Sequence, residues 1–254
     1  MLPNLLSVLG LVVQGLGYIK DIFDSRDRPL EYAELSRDLP SQVLPSHALG
    51  PLYQDGNSCV GASAAQAYRI CETLAGRPCP ELSAAYIYWG AKFLGSGNPE
   101  RDNGSQVRNG IKALIKFGAP PASVWPMSYP NIFKRPTLKA SMQAFDIRGV
   151  RGYYRIPAGD VDGIRTALAS KCAVIGGFDI DRAFIDPKGP ELAPNPRGPF
   201  VGGHAFVLDG YRADGSFSVQ NSWRGWRGNQ LGASRCFITE EFAAAGQDIW
   251  AVQT

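Results

Sequence analysis

The spacing of hydrophobic and polar positions changes period near the middle of the 254-residue chain. In the first half, small and apolar residues recur every three or four positions, the spacing of a helix face. The pattern predicts helices over 58–76 (SCVGASAAQAYRICETLAG), over 80–95 with Ser83 near the cap, and over 105–118. The third would carry Val107, Ile111, Leu114 and Ile115 on one face. Four prolines in GAPPASVWPMSYPN then interrupt any regular element. In the second half, the runs CAVIGGFDI, HAFVLDGY, GSFSVQNSW and SRCFIT are short and rich in β-branched and aromatic residues, as strands are. A five-proline loop, DPKGPELAPNPRGPFVGG, separates the first two. Helices followed by strands predict an α+β protein with a helical lobe and a sheet lobe. No internal repeat is visible.

The N-terminal stretch is different in texture. Residues 1–13 (MLPNLLSVLGLVV) are apolar but fall short of the roughly 20 residues of a membrane span. No basic residue precedes Lys20, and Gln14-Gly15-Leu16-Gly17 is a poor cleavage site, so a secretory signal is not expected. The expected role of 1–13 is to pack on its own domain or on a protein partner. A cytoplasmic or particle-associated location is favoured over secretion. Residues 18–52, rich in charge and proline, read as an extended wrapping segment. The chain is thus expected to divide into an apolar segment and arm (1–40), a helical lobe (41–140) and a β-rich lobe (141–254).

Composition narrows the function. With 44% hydrophobic and 19% charged residues the chain is globular, and 29 Gly with 19 Pro exclude a helical bundle. A net charge of +3, without clustering, argues against a nucleic-acid partner. Five cysteines (59, 71, 79, 172 and 236) leave at least one thiol outside any internal disulfide. No CxxC spacing and only two histidines, His47 and His204, imply no metal site and no cofactor.

Three polar residues stand out. Cys59 opens the first helix, where the positive end of the helix dipole lowers a thiol pKa. Read alone it is as compatible with a structural cysteine. His204 begins a strand and Asn221 ends one; singly they read as a satisfied polar residue and a turn residue. Cys172 and Cys236 read as small buried hydrophobes, and Cys71 and Cys79 are close enough in sequence to pair. His47 reads as exposed, and a buried Asp209 would need a partner.

The order Gln54, Cys59, His204, Asn221 changes this reading. His204 lies 145 residues after Cys59 and Asn221 lies 17 after His204. In QDGNSCVGASAA, GGHAFVLDGY and QNSWRGWRG the sequence resembles the papain-like cysteine peptidases. GYIKDIFDSRD, LPSQVLP, DNGSQVRNGIKALIKFGAPPASVWPM and FITEEFAAAGQDIWAV resemble the bacterial and phage branch of that family. The resemblance implies a two-lobe fold, a helical lobe and a β-barrel-like lobe, with the active site in the cleft between them. It implies peptide-bond hydrolysis through a Cys59 thioester, with His204 as base and Asn221 orienting its ring. It also implies that Trp223 shields that bond and that Gln54 and the Cys59 amide bind the oxyanion. Asn103, Gly104 and Ser105 would offer a backbone edge to a peptide or protein substrate. Gln54 stands five residues before Cys59 where the family usually has six, Val60 replaces an aromatic, and NSWRGWRG is one residue short. No separate inhibitory propeptide is evident. Two rivals stay open: another acyl transfer on the same Cys-His logic, and an inactive scaffold or docking subunit of a larger assembly such as a phage particle.

Overall fold

A computed structural model describes residues 15–30, 39–46, 49–95, 98–147, 149–185, 192–193, 195–224, 226 and 234–254. Residues 1–13 and His47, for which the sequence raised expectations, lie outside the described residues.

Helix α1 (Cys59–Leu74) is the axle of the molecule. It is buried from Cys59 to Tyr68 because its residues are mostly small. A methyl group at Gly61 would lie 2.4 Å from the Ala84 carbonyl, so the glycine lets α2 (Ala84–Gly95) come close. Helix α3 (Val107–Phe117) seats Gly110 on Val60 in the same way, which accounts for a small residue after Cys59. Ser83 caps α2 by accepting the Tyr86 amide at 3.1 Å, as its position in the sequence suggests. The shorter α4 (Leu138–Phe145) completes this lobe.

The second lobe is a seven-stranded sheet in the order β1-β7-β2-β4-β5-β6-β3. Its strands are β1 (Gly152–Ile156), β2 (Ala173–Ile180), β3 (Leu192–Ala193), β4 (Gly202–Tyr211), β5 (Phe217–Gln220), β6 (Arg235–Ile238) and β7 (Asp248–Gln253). All pairs are antiparallel except β3 with β6. The four strands read from the sequence are β2, β4, β5 and β6; β1, β7 and the helix α5 (Val161–Ala169) were not anticipated. Asp209 sits at a register shift in β4 and pairs with Arg235 at 2.8 Å. The buried carboxylate thereby gains the partner it requires.

Polar bonds fix the lobes against each other. Ser63 Oγ on α1 donates to the Ala205 carbonyl on β4 at 3.0 Å, and Gln66 Nε2 donates to Gln220 Oε1 at 2.7 Å. One apolar cluster runs through both lobes, from Cys59 and Val60 to Ala205, Val207 and Trp250. The start of α1 and the start of β4 therefore meet at the lobe boundary.

Residues 15–30 form a strap across that boundary. Tyr18 bridges Ser105 in parallel sense, and Pro29 bridges Arg155 at the edge of β1. Within the stretch read as an extended arm, residues 18–30 run along the cleft.

Candidate active site

The cysteine-bearing loop is pinned from the helical lobe. Gly56 adopts φ +56°, and a side chain there would meet Asp102 Oδ2 at 2.4 Å. Asp102 accepts the Asn57 amide at 3.2 Å and the Tyr88 hydroxyl at 2.7 Å, while Tyr88 accepts the Gly104 amide at 3.0 Å. Asp102 thus couples the loop before Cys59 to the Asn103-Gly104-Ser105 edge. Beneath it, the buried Lys92 ammonium donates to the carbonyls of Pro99, Arg101 and Ile132 at 2.5–3.0 Å. A tight turn at Gly56 and Asn57 precedes Cys59.

From the other lobe, β4 delivers His204 and the end of β5 delivers Asn221. His204 Nε2 lies 2.8 Å from Asn221 Oδ1, which also accepts the Ser222 amide at 2.7 Å. Since that oxygen can only accept, Nε2 carries the proton. Nδ1 is left with no hydrogen-bond partner among the described residues. The Trp223 ring stacks on the imidazole with centroids 4.0 Å apart, closing it off from water. Burial holds the His204 pKa down at about 3, so the ring is neutral.

No hydrogen bond joins Cys59 to His204 Nδ1; the residue after His204, Ala205, is the one that reaches the sulfur, through its amide. The amides of Ala205, Gly17, Val60 and Cys59 itself face the sulfur. These donors act in the direction expected for a helix N-terminus, but the thiol is fully buried and its pKa is raised to about 11. Desolvation of the thiolate outweighs the amides, which corrects the lowered pKa expected from sequence. Gly17 of the strap is one of the groups that enclose it.

The strap also occupies the other expected groups. Gln54 Nε2 donates to the Gly15 carbonyl at 3.0 Å and to the Gly56 carbonyl at 2.8 Å. Gln54 Oε1 accepts Ser222 Oγ at 2.6 Å, which fixes the amide orientation. Trp223 Nε1 reaches the same Gly15 carbonyl at 3.4 Å. The Ser105 amide donates to Gly17 O at 2.8 Å, and Ile19 N donates back to Ser105 O at 3.0 Å. The Tyr18 amide donates to Gly203 O, next to His204, at 3.1 Å. Of the edge expected to hold an extended peptide, Ser105 thus holds this chain's own residues. The sequence predicts an extended arm here but not its place in the cleft. Its signal was Gly15 and Gly17, where an added methyl would lie 1.7 Å from the Gly56 and Asn57 carbonyls.

All five cysteines are free, so Cys71 and Cys79 are not joined. Cys71 instead donates to the Val252 carbonyl at 3.2 Å and accepts the Ala173 amide.

A two-lobe α+β architecture with a Cys-His-Asn constellation at the lobe boundary is the papain-like fold. The crystal structure of xylellain, a cysteine protease from Xylella fastidiosa, matches it with a TM-score of 0.83. That match is 24% identical and covers 94% of this chain and 96% of the other. The bromelain protease from Ananas comosus matches with a TM-score of 0.64 at 15% identity, over 85% of this chain and 99% of its own. In sequence, the chain is 24% identical to an uncharacterized peptidase C1-like protein, L477, of Acanthamoeba polyphaga mimivirus. That alignment covers 95% of this chain and 88% of the viral protein. No protein-family model matches the chain.

Proposed function

We propose that the chain is a papain-like cysteine peptidase that hydrolyses peptide bonds once its strap has left the cleft. The observation that carries this reading is the polarised imidazole. His204 Nε2–H is committed to Asn221, while Nδ1 is unpartnered beside the strand residue whose amide faces the Cys59 sulfur. A buried ring nitrogen without a partner is costly unless it has a proton to accept.

In the uncovered cleft, Nδ1 takes the proton from Cys59 Sγ, and the thiolate attacks the substrate carbonyl carbon. The developing oxyanion lies within reach of the Gln54 side-chain amide and the Cys59 backbone amide. The imidazolium returns its proton to the departing amine, leaving a thioester at Cys59. Water, deprotonated by the same nitrogen, then hydrolyses the thioester. Asn221 holds the Nε2 side of the ring and leaves Nδ1 for the thiol proton, and Trp223 keeps water from competing for Asn221 Oδ1. The edge at Gly104 and Ser105 aligns the peptide backbone, as it aligns the strap.

The strap represses this chemistry by geometry. Its Gly17 amide lies among the donors around the Cys59 sulfur, and its Gly15 carbonyl takes up the Gln54 side-chain amide, so both are occupied while the strap is in place.

The test is covalent labelling with an epoxide reagent, combined with hydrolysis of casein. Labelling and hydrolysis in the intact protein, both lost in Cys59→Ala, are the expected result. A folded protein that neither labels nor hydrolyses between about pH 5 and 8 would instead be a papain-fold scaffold.

A further inference from the structure

The helical lobe carries a hollow of about 560 Å³ that the peptidase chemistry does not use. Helices α2, α3 and α4 build it, with the segment just before α4. Trp89 and Phe93 of α2 stack with ring centroids 5.6 Å apart, and Phe93 meets the Phe117 ring of α3 edge-on. Phe145, at the end of α4, lines it as well. The apolar surface continues beyond the hollow. Leu138 and Met142 precede Phe145 at steps of four and three residues, on one stripe of α4, while Ala140 and Ala144 form its buried side. Leu138 is 77% exposed and Met142 65%. Large apolar side chains gathered at one exposed place mark a surface that another molecule covers.

Charge says what that molecule carries. Lys116 and Arg135 line the hollow, and no acidic residue does; Glu100 and Asp146, each next in sequence to a lining residue, stay out of it. Both cations are exposed, and neither has an ion-pair partner among the described residues. Lys134 and Lys139, beside Arg135 and Leu138 in the chain, are exposed too. A partner with carboxylates around its apolar anchors complements this rim, and one with ammonium groups is repelled. Shape favours a protein segment over a lipid surface. A concave site is filled by side chains that insert, as when a helix lies in a groove, whereas a bilayer is entered by residues that protrude.

We propose that this face is a docking site for an acidic amphipathic segment of a partner protein, with its apolar side chains seated between α2 and α4 and its carboxylates on Lys116 and Arg135. The hollow and the cleft lie at opposite ends of α3. Ser105 stands just before its first turn, and Lys116 and Phe117 end it about 15 Å further along the axis. A docked segment therefore does not contest the cleft, and the proposal stands apart from the peptidase reading.

The test is the fluorescence anisotropy of a fluorescein-labelled peptide added to the full chain carrying Cys59→Ala, which cannot cut it. The peptide has leucine, leucine and phenylalanine at the spacing of the α4 stripe and glutamate elsewhere. A second peptide has lysine in place of glutamate, and a third has alanine in place of the apolar residues. The glutamate peptide is expected to bind at least about tenfold more tightly than either of the others, and to weaken as salt is raised. Lys116→Glu combined with Arg135→Glu, at two exposed positions, should move the preference to the lysine peptide. Phe145→Ala should weaken the glutamate peptide by about tenfold. Failure of the glutamate peptide to bind, equal binding of any two of the peptides, or an order unmoved by the charge reversal would each overturn the proposal. Capture of phosphatidylserine vesicles in preference to the glutamate peptide would overturn it in favour of a membrane. Because binding is read without turnover, none of these results bears on the peptidase reading.

Discussion

His204 and Asn221 are joined by one bond that leaves Nδ1 free to act as a base, and the two residues supporting them are open to direct test. Asn221→Ala should lower turnover without abolishing it, because the thiol and the oxyanion donors remain while the imidazole loses its fixed tautomer. The loss should appear in kcat for coumarin peptide substrates, with Cys59→Ala as the zero. Gln54→Ala should cost about 10²–10³ in kcat. Its amide already points at a carbonyl oxygen in the cleft and is held there by Ser222, so an unchanged kcat would remove it from the mechanism. These residues could be read from the sequence because their identity, order and separation carry the information. The pKa of Cys59 could not be read that way. A helix N-terminus is a local feature and argues for a lowered value, but the raised value comes from burial in the folded chain, where groups as distant in sequence as Gly17 and Ala205 surround the sulfur.

At the scale of elements, the strap is the part that periodicity could not disclose. Helices α1, α2 and α3 announce themselves by spacing, and β2, β4, β5 and β6 by β-branched runs. The strap has no period: apart from a turn closed at Asp24, Arg26 and Asp27, its bonds run to β4, α3, β1 and β7. Asp21 shows how it is held. Its carboxylate accepts Trp250 Nε1 at 2.8 Å and lies beside Asp248 and Tyr18, facing Arg108 of α3. Arg108 in turn pairs with Asp27 at 2.7 Å and lies 3.8 Å from Asp24, which Lys112 also approaches. Arg155 on β1 reaches both Asp27 and Asp248. Burial, then the neighbouring Asp248 charge, raises the Asp21 pKa from 3.8 to about 7. A carboxyl whose pKa is raised on docking favours docking most when protonated. The contribution is therefore complete below about pH 4 and is lost as pH rises through about 7. Strap release should accordingly increase on going from mildly acidic to mildly alkaline solution. Epoxide labelling of Cys59 should rise more steeply with pH in the native chain than in Asp21→Asn, which keeps an acceptor for Trp250 but cannot ionise. Parallel pH profiles in the two proteins would sink this account.

For the molecule as a whole, the presence of the strap in the cleft has a kinetic consequence. An arm that offered a carbonyl face to the sulfur would be cut in place, and activity would then appear once and irreversibly. An arm that only fills the cleft is not consumed. Opening is then a unimolecular equilibrium in which substrate and strap compete for the same edges at Gly203 and Ser105. A mixture of enzyme and coumarin peptide should show a lag before its steady rate, as substrate captures molecules whose strap has lifted. Dilution separates this from activation by neighbours: the lag time should be the same when protein concentration is changed about a hundredfold, whereas trimming of one copy by another would shorten it in proportion to concentration. Mass measurement at the end of the lag should still find an intact chain. Such an enzyme has memory rather than a fuse: remove the substrate, and the arm closes again.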